Sequence, residues 1–212
     1  FPRAPARSRA GRSVNRRETI IEAGRTERHY WLDLWRYREL FAFLTWRDIL
    51  VRYKQTVLGV AWAVLRPLFT VLIFSLVFGR LARLPSEGVP YALLVAAATL
   101  PWQFFSSAFS DASSSVIGNA AMISKVYFPR LIIPASSVIV GLVDFAISAT
   151  IVVGLMVWYG ITPGWRILSL PLFIGLILAT SLGAGLWFAA LNVAYRDFRH
   201  VVPFVAQLGL YI

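Results

Sequence analysis

Four long apolar segments constrain this chain more than anything else in it. They run Val57–Gly79, Val89–Phe109, Leu131–Tyr159 and Ile167–Tyr195. Each is at least 21 residues long, enough for a helix to span the roughly 30 Å hydrocarbon core of a bilayer. Barrel strands would be about half that length and would alternate in polarity. These segments do not alternate, so the chain reads as an all-α integral membrane protein. A fifth apolar run starts at Val201 and reaches Ile212, about 18 Å of helix at 1.5 Å per residue. Because that is too short to span, and because the first residue is Phe1 rather than Met, the expectation is a fragment with four complete spans and the start of a fifth.

The composition agrees with this class. Of 212 residues, 58% are hydrophobic, above the 45–50% of typical soluble domains. There are no cysteines, which excludes disulfides, thiolate metal sites and cysteine nucleophiles. The two histidines, His29 and His200, stand beside charged residues outside the apolar runs. Neither a histidine metal cluster nor a catalytic triad is expected. No G-x-x-x-x-G-K-[ST] loop occurs, so the chain has no ATP site of that kind.

Net charge is +11. In a soluble protein this would point to nucleic acid; here the basic residues lie between and before the apolar runs. With the N-terminus inside, 18 of the 21 Lys and Arg fall on the cytoplasmic side, leaving Arg80, Arg83 and Arg166 outside. The positive-inside rule therefore sets the orientation and makes a nucleic-acid partner unnecessary.

Residues 1–29 are polar and Arg-rich, with Pro2, Pro5 and Gly11, and are expected to be a disordered basic cytoplasmic tail. No apolar core of a signal peptide is present in it. Residues 30–56 are amphipathic. Leu34, Tyr37, Phe41 and Leu44 form one helical stripe, and Trp46, Ile49, Leu50 and Tyr53 form another on a different face. Thr45-Trp46-Arg47-Asp48 reads as a capping box between them, which predicts two helices with a break near Thr45. Arg36, Arg38, Arg47, Arg52 and Lys54 flank the stripes. Such helices suit a membrane surface, or packing against a soluble domain.

Two charged residues interrupt the spans. Arg66 precedes Pro67 in the first; it either sits at the headgroups where the helix enters, or pairs or faces a wet cavity. Asp144 lies midway along the third, with Arg66 as its one conceivable intramembrane partner; a structural hydrogen bond between helices is expected. In the fourth span, Gly175, Ala179 and Gly183 form one row of small residues, and Ser181, Gly185 and Ala189 another, which allows close helix packing. Pro101-Trp102-Gln103-Phe104-Phe105 adds an amide to a cluster of aromatics. It reads as an interfacial belt or as a lining that stacks on sugars, with Trp102, Gln103, Phe104 and Phe105 as the candidate pathway residues.

Between the second and third spans lies "NAAMISKVYFPR", residues 119–130, with two cations, two aromatics, a proline and no acid. Ser113–Ser115 are expected to cap a short helix that carries Val116, Ile117, Ala120 and Ile123 on one side. Lys125, Tyr127, Phe128, Pro129 and Arg130 follow. A plain hairpin loop would be shorter and more hydrophilic. A helix with exposed aromatics and cations is a knob for a partner's groove.

The runs "RYKQTVLGVAW", "KVYFPRLIIP" and "YRDFRHVVPF" resemble the membrane subunit of bacterial polysaccharide-export ABC transporters, which export O-antigen, capsule or teichoic acid. The resemblance covers nearly everything from residue 40 onward. It implies an interface helix, six membrane helices in the full-length fold, and a homodimer in the inner membrane paired with a separate ATP-binding subunit. ATP and Mg would be bound there, and no cofactor or metal in this chain. Residues 110–130 would then be the coupling segment, with Val116, Ile117, Asn119, Ala120, Ile123, Lys125, Tyr127, Phe128, Pro129 and Arg130 as its contacts. The substrate implied is a polysaccharide or lipid-linked glycan. The alternatives are a drug or lipid exporter of the same superfamily, and a membrane scaffold with no pathway. Position 66, often uncharged in this motif, is Arg66 here.

Overall fold

The computed structural model describes residues 34–54, 57–81, 88–195 and 197–210, the side chains of 57–60 and 166 excepted. The predicted basic tail lies outside this range. Every regular element among the described residues is helical: α1 (Arg38–Lys54), α2 (Val57–Phe74), α3 (Tyr91–Gly118), the single turn α4 (Ala120–Ile123), α5 (Ile132–Trp158), α6 (Leu170–Ala194) and α7 (Phe198–Leu208). A π-helical stretch, Ser75–Leu81, continues α2, and a 3₁₀ turn, Trp165–Ser169, leads into α6. Four stretches are long and apolar enough to cross a membrane: Ala61–Leu81, Tyr91–Gly118, Ile132–Trp158 and Ile167–Ala194. These are the four segments expected from hydropathy.

The α3 helix is the centre of the bundle. Ten of its 28 residues are buried, against four of 25 in α6, so α3 is covered by protein while α6 presents most of its apolar surface outward. Phe104, Ala108 and Ala112 of α3 meet Val138 and Leu142 of α5 on one side and Leu178 and Leu182 of α6 on the other. The α3–α6 contact is close because Gly185 has no side chain: a Cβ there would stand 2.6 Å from that of Ala112. Of the two small-residue rows, Ser181, Gly185 and Ala189 face α3 and are buried, while Gly175, Ala179 and Gly183 face outward. At the end of the same helix, the Asn192 amide donates to the Ser113 carbonyl at 2.9 Å.

At 28 and 27 residues, α3 and α5 are about 40 Å long and exceed the hydrocarbon thickness. Beside the start of α5 lies α1. Leu44 of α1 is buried with Phe128, Ile132 and Ile133, and Tyr37, Leu40 and Phe41 pack around them. The first predicted stripe therefore does face protein. Trp46 and Leu50 of the second remain exposed.

Two local expectations fail. There is no break near Thr45, because α1 runs unbroken from Arg38 to Lys54. The Thr45 hydroxyl donates back to the Phe41 carbonyl at 2.9 Å, and Asp48 is occupied by Arg47. A threonine inside a helix satisfies itself this way and needs no helix start. Likewise, Ser113–Ser115 cap nothing. They lie within α3 and bond to carbonyls three or four residues earlier. The second span consequently runs nine residues past Phe109, to Gly118, before the chain turns.

Candidate functional site

Arg66-Pro67 does not break the first span. The α2 helix passes through Pro67, and the Thr70 hydroxyl donates to the Arg66 carbonyl at 3.0 Å. Proline cannot donate, but it leaves its neighbours' bonds intact when the turn relaxes locally. Continuity of α2 sets Trp62 and Arg66 one turn apart, so both line the same cavity. That cavity has a volume of about 970 Å³ and is walled by parts of α1, α2, α3, α5 and α7. Trp62 and Trp102 supply aromatic surface, and Gln103, Gln207 and the hydroxyls of Ser107 and Ser110 supply neutral polar groups. Arg52, Arg66 and Asp144 are its charged lining residues.

Arg52 and Asp144 form one cluster with Tyr53, which also lines the cavity, and with Asp111. Arg52, near the end of α1, reaches Asp111 of α3 and Asp144 of α5, each at 3.1 Å. The Tyr53 hydroxyl donates to the other oxygen of Asp144. Both carboxylate oxygens of Asp144 are thus in use. Burial opposes the charge on Arg52, but Asp111 and Asp144 outweigh it and raise its pKa above the ordinary value. Burial also raises the Tyr53 pKa, as do its hydrogen bond to Asp144 and that residue's charge, so the phenol remains a neutral donor. The partner of Asp144 is a cation of the amphipathic helix; Arg66, the intramembrane candidate, is not paired with it. Ser148, one turn further along α5, donates to the Asp144 carbonyl at 2.9 Å.

Of the four aromatic-cluster residues, Trp102 and Gln103 are half-buried and line the cavity. Phe104 is buried, its ring 5.1 Å from that of Phe145, and reaches the cavity from within the core. Phe105 packs away from it, between Trp102 and Phe109, with ring centroids at 5.3 and 5.9 Å. Trp102 also lies against Gly209 just past α7, where a Cβ would come within 2.4 Å of the indole.

The segment between α3 and α5 divides by exposure. Phe128 is 5% exposed and Pro129 is buried, while Tyr127 is 58% exposed. Phe128 therefore anchors the segment to α1, and Ile123 packs on the same cluster. Val116 and Asn119 are half-buried; Ile117, Ala120, Lys125 and Arg130 are exposed. The side chain of Asn119 accepts from Arg47 of α1 at 3.4 Å and donates to the Ser115 carbonyl at 2.9 Å. Here α1 acts as a strut: one end holds the segment, and the other, through Arg52 and Tyr53, holds the cavity wall.

The sequence matches the family described as ABC-2 type transporter over residues 39–212. The chain belongs to this family. Among its relatives is the O-antigen export system permease protein RfbA of Myxococcus xanthus, 30% identical over 179 residues, which cover 84% of this chain and 68% of that protein. A Klebsiella pneumoniae protein of the same name is 32% identical over 176 residues, covering 82% and 66%. The chain thus spans about two thirds of the length of the curated relatives it matches. As an ABC-2 family member with four apolar membrane-length helices, it is a multi-pass membrane protein.

Sequence reasoning missed Arg52 and Tyr53 as partners of Asp144, Asp111 as the second acid on Arg52, and Trp62, Gln207 and Val126 as exposed or cavity-lining groups. The available signal was an intramembrane acid with only Arg66 as an intramembrane candidate, and an Arg-rich helix just before the first span.

Proposed function

We propose that this chain is the membrane subunit of an ATP-driven transporter that exports a polysaccharide or lipid-linked glycan across the cytoplasmic membrane. The observation that carries this reading is the cavity between the spans. Its roughly 970 Å³ combine tryptophan surface with amides and hydroxyls. Aromatic faces suit the apolar faces of pyranose rings, and amides and hydroxyls can meet their hydroxyl groups. A tightly packed scaffold would have no use for such a volume. The relatives named as O-antigen export permeases support the same substrate class.

In this reading the end of the bundle that bears α1 and residues 119–130 faces the cytoplasm. Two copies of the subunit form the pathway, and ATP is hydrolysed on a separate subunit. Exposed Tyr127, Lys125, Ile117 and Arg130 meet that subunit. Phe128 and Asn119 pass its movement to α1. The work of the chain is mechanical: it binds, opens and closes, and makes or breaks no covalent bond.

The test is glycan export in cells carrying the intact transporter. Trp102→Ala should lower export at unchanged membrane abundance. Undiminished glycan export in that variant, with loss of a drug or phospholipid flux instead, would transfer the pathway to one of those substrates.

A further inference from the structure

The α1 helix is fastened at two places, and the two fastenings differ in kind. Near its middle, Leu44 is buried against Ile132 and Ile133 of α5 and against Phe128. At its last turn, Arg52 holds Asp111 of α3 and Asp144 of α5, and Tyr53 holds the other oxygen of Asp144. The first contact is apolar and dry, so parting it would expose hydrophobic surface. The second is polar and partly solvated, with 39% of the Arg52 side chain exposed. Water can replace each of its partners, so it opens at far lower cost.

The second fastening also stands at a boundary. Along α3 the cavity wall ends at Ser110, and Asp111 is the next residue, on the side of the 119–130 segment. One guanidinium thus ties α1 to both α3 and α5 where the cavity ends. Leverage favours this contact as the one that moves. Arg52 lies eight residues beyond Leu44, about 12 Å along the helix. Tilting α1 by about 10° around Leu44 shifts Arg52 by about 2 Å, which opens a 3.1 Å contact to about 5 Å and ends its hydrogen bonds. Arg47, which meets Asn119 at 3.4 Å, lies only three residues from Leu44. A small push there by the 119–130 segment is therefore enlarged at Arg52.

We propose that Arg52, Tyr53, Asp111 and Asp144 form a releasable latch that closes the cavity toward the 119–130 segment, and that a push on this segment tilts α1 about Leu44 and opens it. This rests on the reading of residues 119–130 as the contact with an ATP-binding subunit, and it adds what that contact operates. A permanent staple built from the same contacts would hold the cavity equally closed in every state.

The intact transporter, with its ATP-binding subunit, is tested in inverted membrane vesicles, where added nucleotide and reagent meet the same face. Ser107→Cys places a thiol on the cavity wall of a chain whose 212 residues include no cysteine. A charged methanethiosulfonate is added, and mass spectrometry of the Ser107→Cys peptide gives the labelling rate. Labelling should be slow without nucleotide and about tenfold faster with ATP and vanadate, as the open form becomes populated. Adding Arg52→Gln should make it fast from the start and indifferent to nucleotide. Arg52→Lys should restore the slow resting rate, because an ammonium still bridges the carboxylates. Ser181→Cys, at a position 0% exposed between α3 and α6, reports folding and should stay unlabelled throughout.

Equal rates with and without nucleotide overturn the proposal, since the cluster is then a fixed staple. So does an Arg52→Gln variant that labels as slowly as its parent. Labelling of Ser181→Cys in the Arg52→Gln background also overturns it, because Arg52 would then hold the fold together rather than a gate. None of these results touches glycan export, which the Trp102→Ala variant tests separately. A nucleotide-driven opening in a transporter that moves some other substrate would sink the glycan reading and leave the latch in place.

Discussion

The cluster at the foot of the cavity makes the sharpest prediction about how the spans are held. Arg52 is 3.1 Å from both Asp111 and Asp144. At an effective dielectric near 20, one such pair is worth about 5 kcal/mol of raw attraction. Arg52 and Asp111 each keep 39% of their side-chain surface exposed, and Asp144 keeps 22%. Solvent screening and desolvation together reduce the net coupling of Arg52 with Asp144 to about 1–2 kcal/mol. The two single changes should differ. Asp144→Asn leaves Arg52 paired with Asp111 and still offers Tyr53 an acceptor, and so costs about 1 kcal/mol. Arg52→Gln leaves two carboxylates facing each other without their cation and costs more, about 2–3 kcal/mol. The double variant should cost less than the sum. Reversible unfolding in mixed micelles, run as a double-mutant cycle, measures this. Additivity within about 0.5 kcal/mol, or Asp144→Asn as the costlier single change, would refute the reasoning.

Four further outcomes follow from contacts elsewhere. Gly185→Ala forces α3 and α6 apart by about 1 Å and should destabilise by about 1–3 kcal/mol, because the new Cβ would meet that of Ala112 at 2.6 Å; Gly183→Ala, with open space around it, should be neutral, and thermal melting compares them. Phe128→Ala empties the core shared with Leu44, Ile132 and Ile133 and should cost about 3–5 kcal/mol. Tyr127→Ala should leave melting unchanged and weaken co-purification with the ATP-binding subunit; the reverse assignment of effects would show that the two aromatics have been confused. Gly209→Leu should displace the Trp102 indole, which a Cβ would already approach to 2.4 Å, and the change should appear as altered tryptophan fluorescence in a protein that still folds.

Local pattern was enough for much of the architecture. The four spans were legible because a bilayer-length helix needs a run of apolar residues, and such a run is a property of consecutive positions. The fifth run, the amphipathic helix before the first span and the segment at 119–130 were visible for similar reasons. Local pattern also misled. Thr45 through Asp48 satisfies the letters of a capping box, and Ser113–Ser115 those of a cap, yet each lies inside a helix with its hydroxyls turned back to the preceding turn. The letters are the same because serine and threonine can serve both positions; only the continuation of the backbone decides which.

What the sequence could determine by itself was therefore the number and class of the membrane spans, and the family. Tertiary structure alone decided which way their faces turn. A span that is apolar on all sides carries no mark of its inner face, so nothing in order of residues told the buried row at Ser181, Gly185 and Ala189 from the exposed row at Gly175, Ala179 and Gly183. Phe128 and Tyr127 are adjacent and alike in kind, and packing on Leu44 sends one inward. Asp144 finds its cation 92 residues earlier, on α1. Charges so far apart in the chain meet only because packing sets the end of α1 against α3 and the middle of α5, and that same packing gives both carboxylate oxygens of Asp144 to Arg52 and Tyr53.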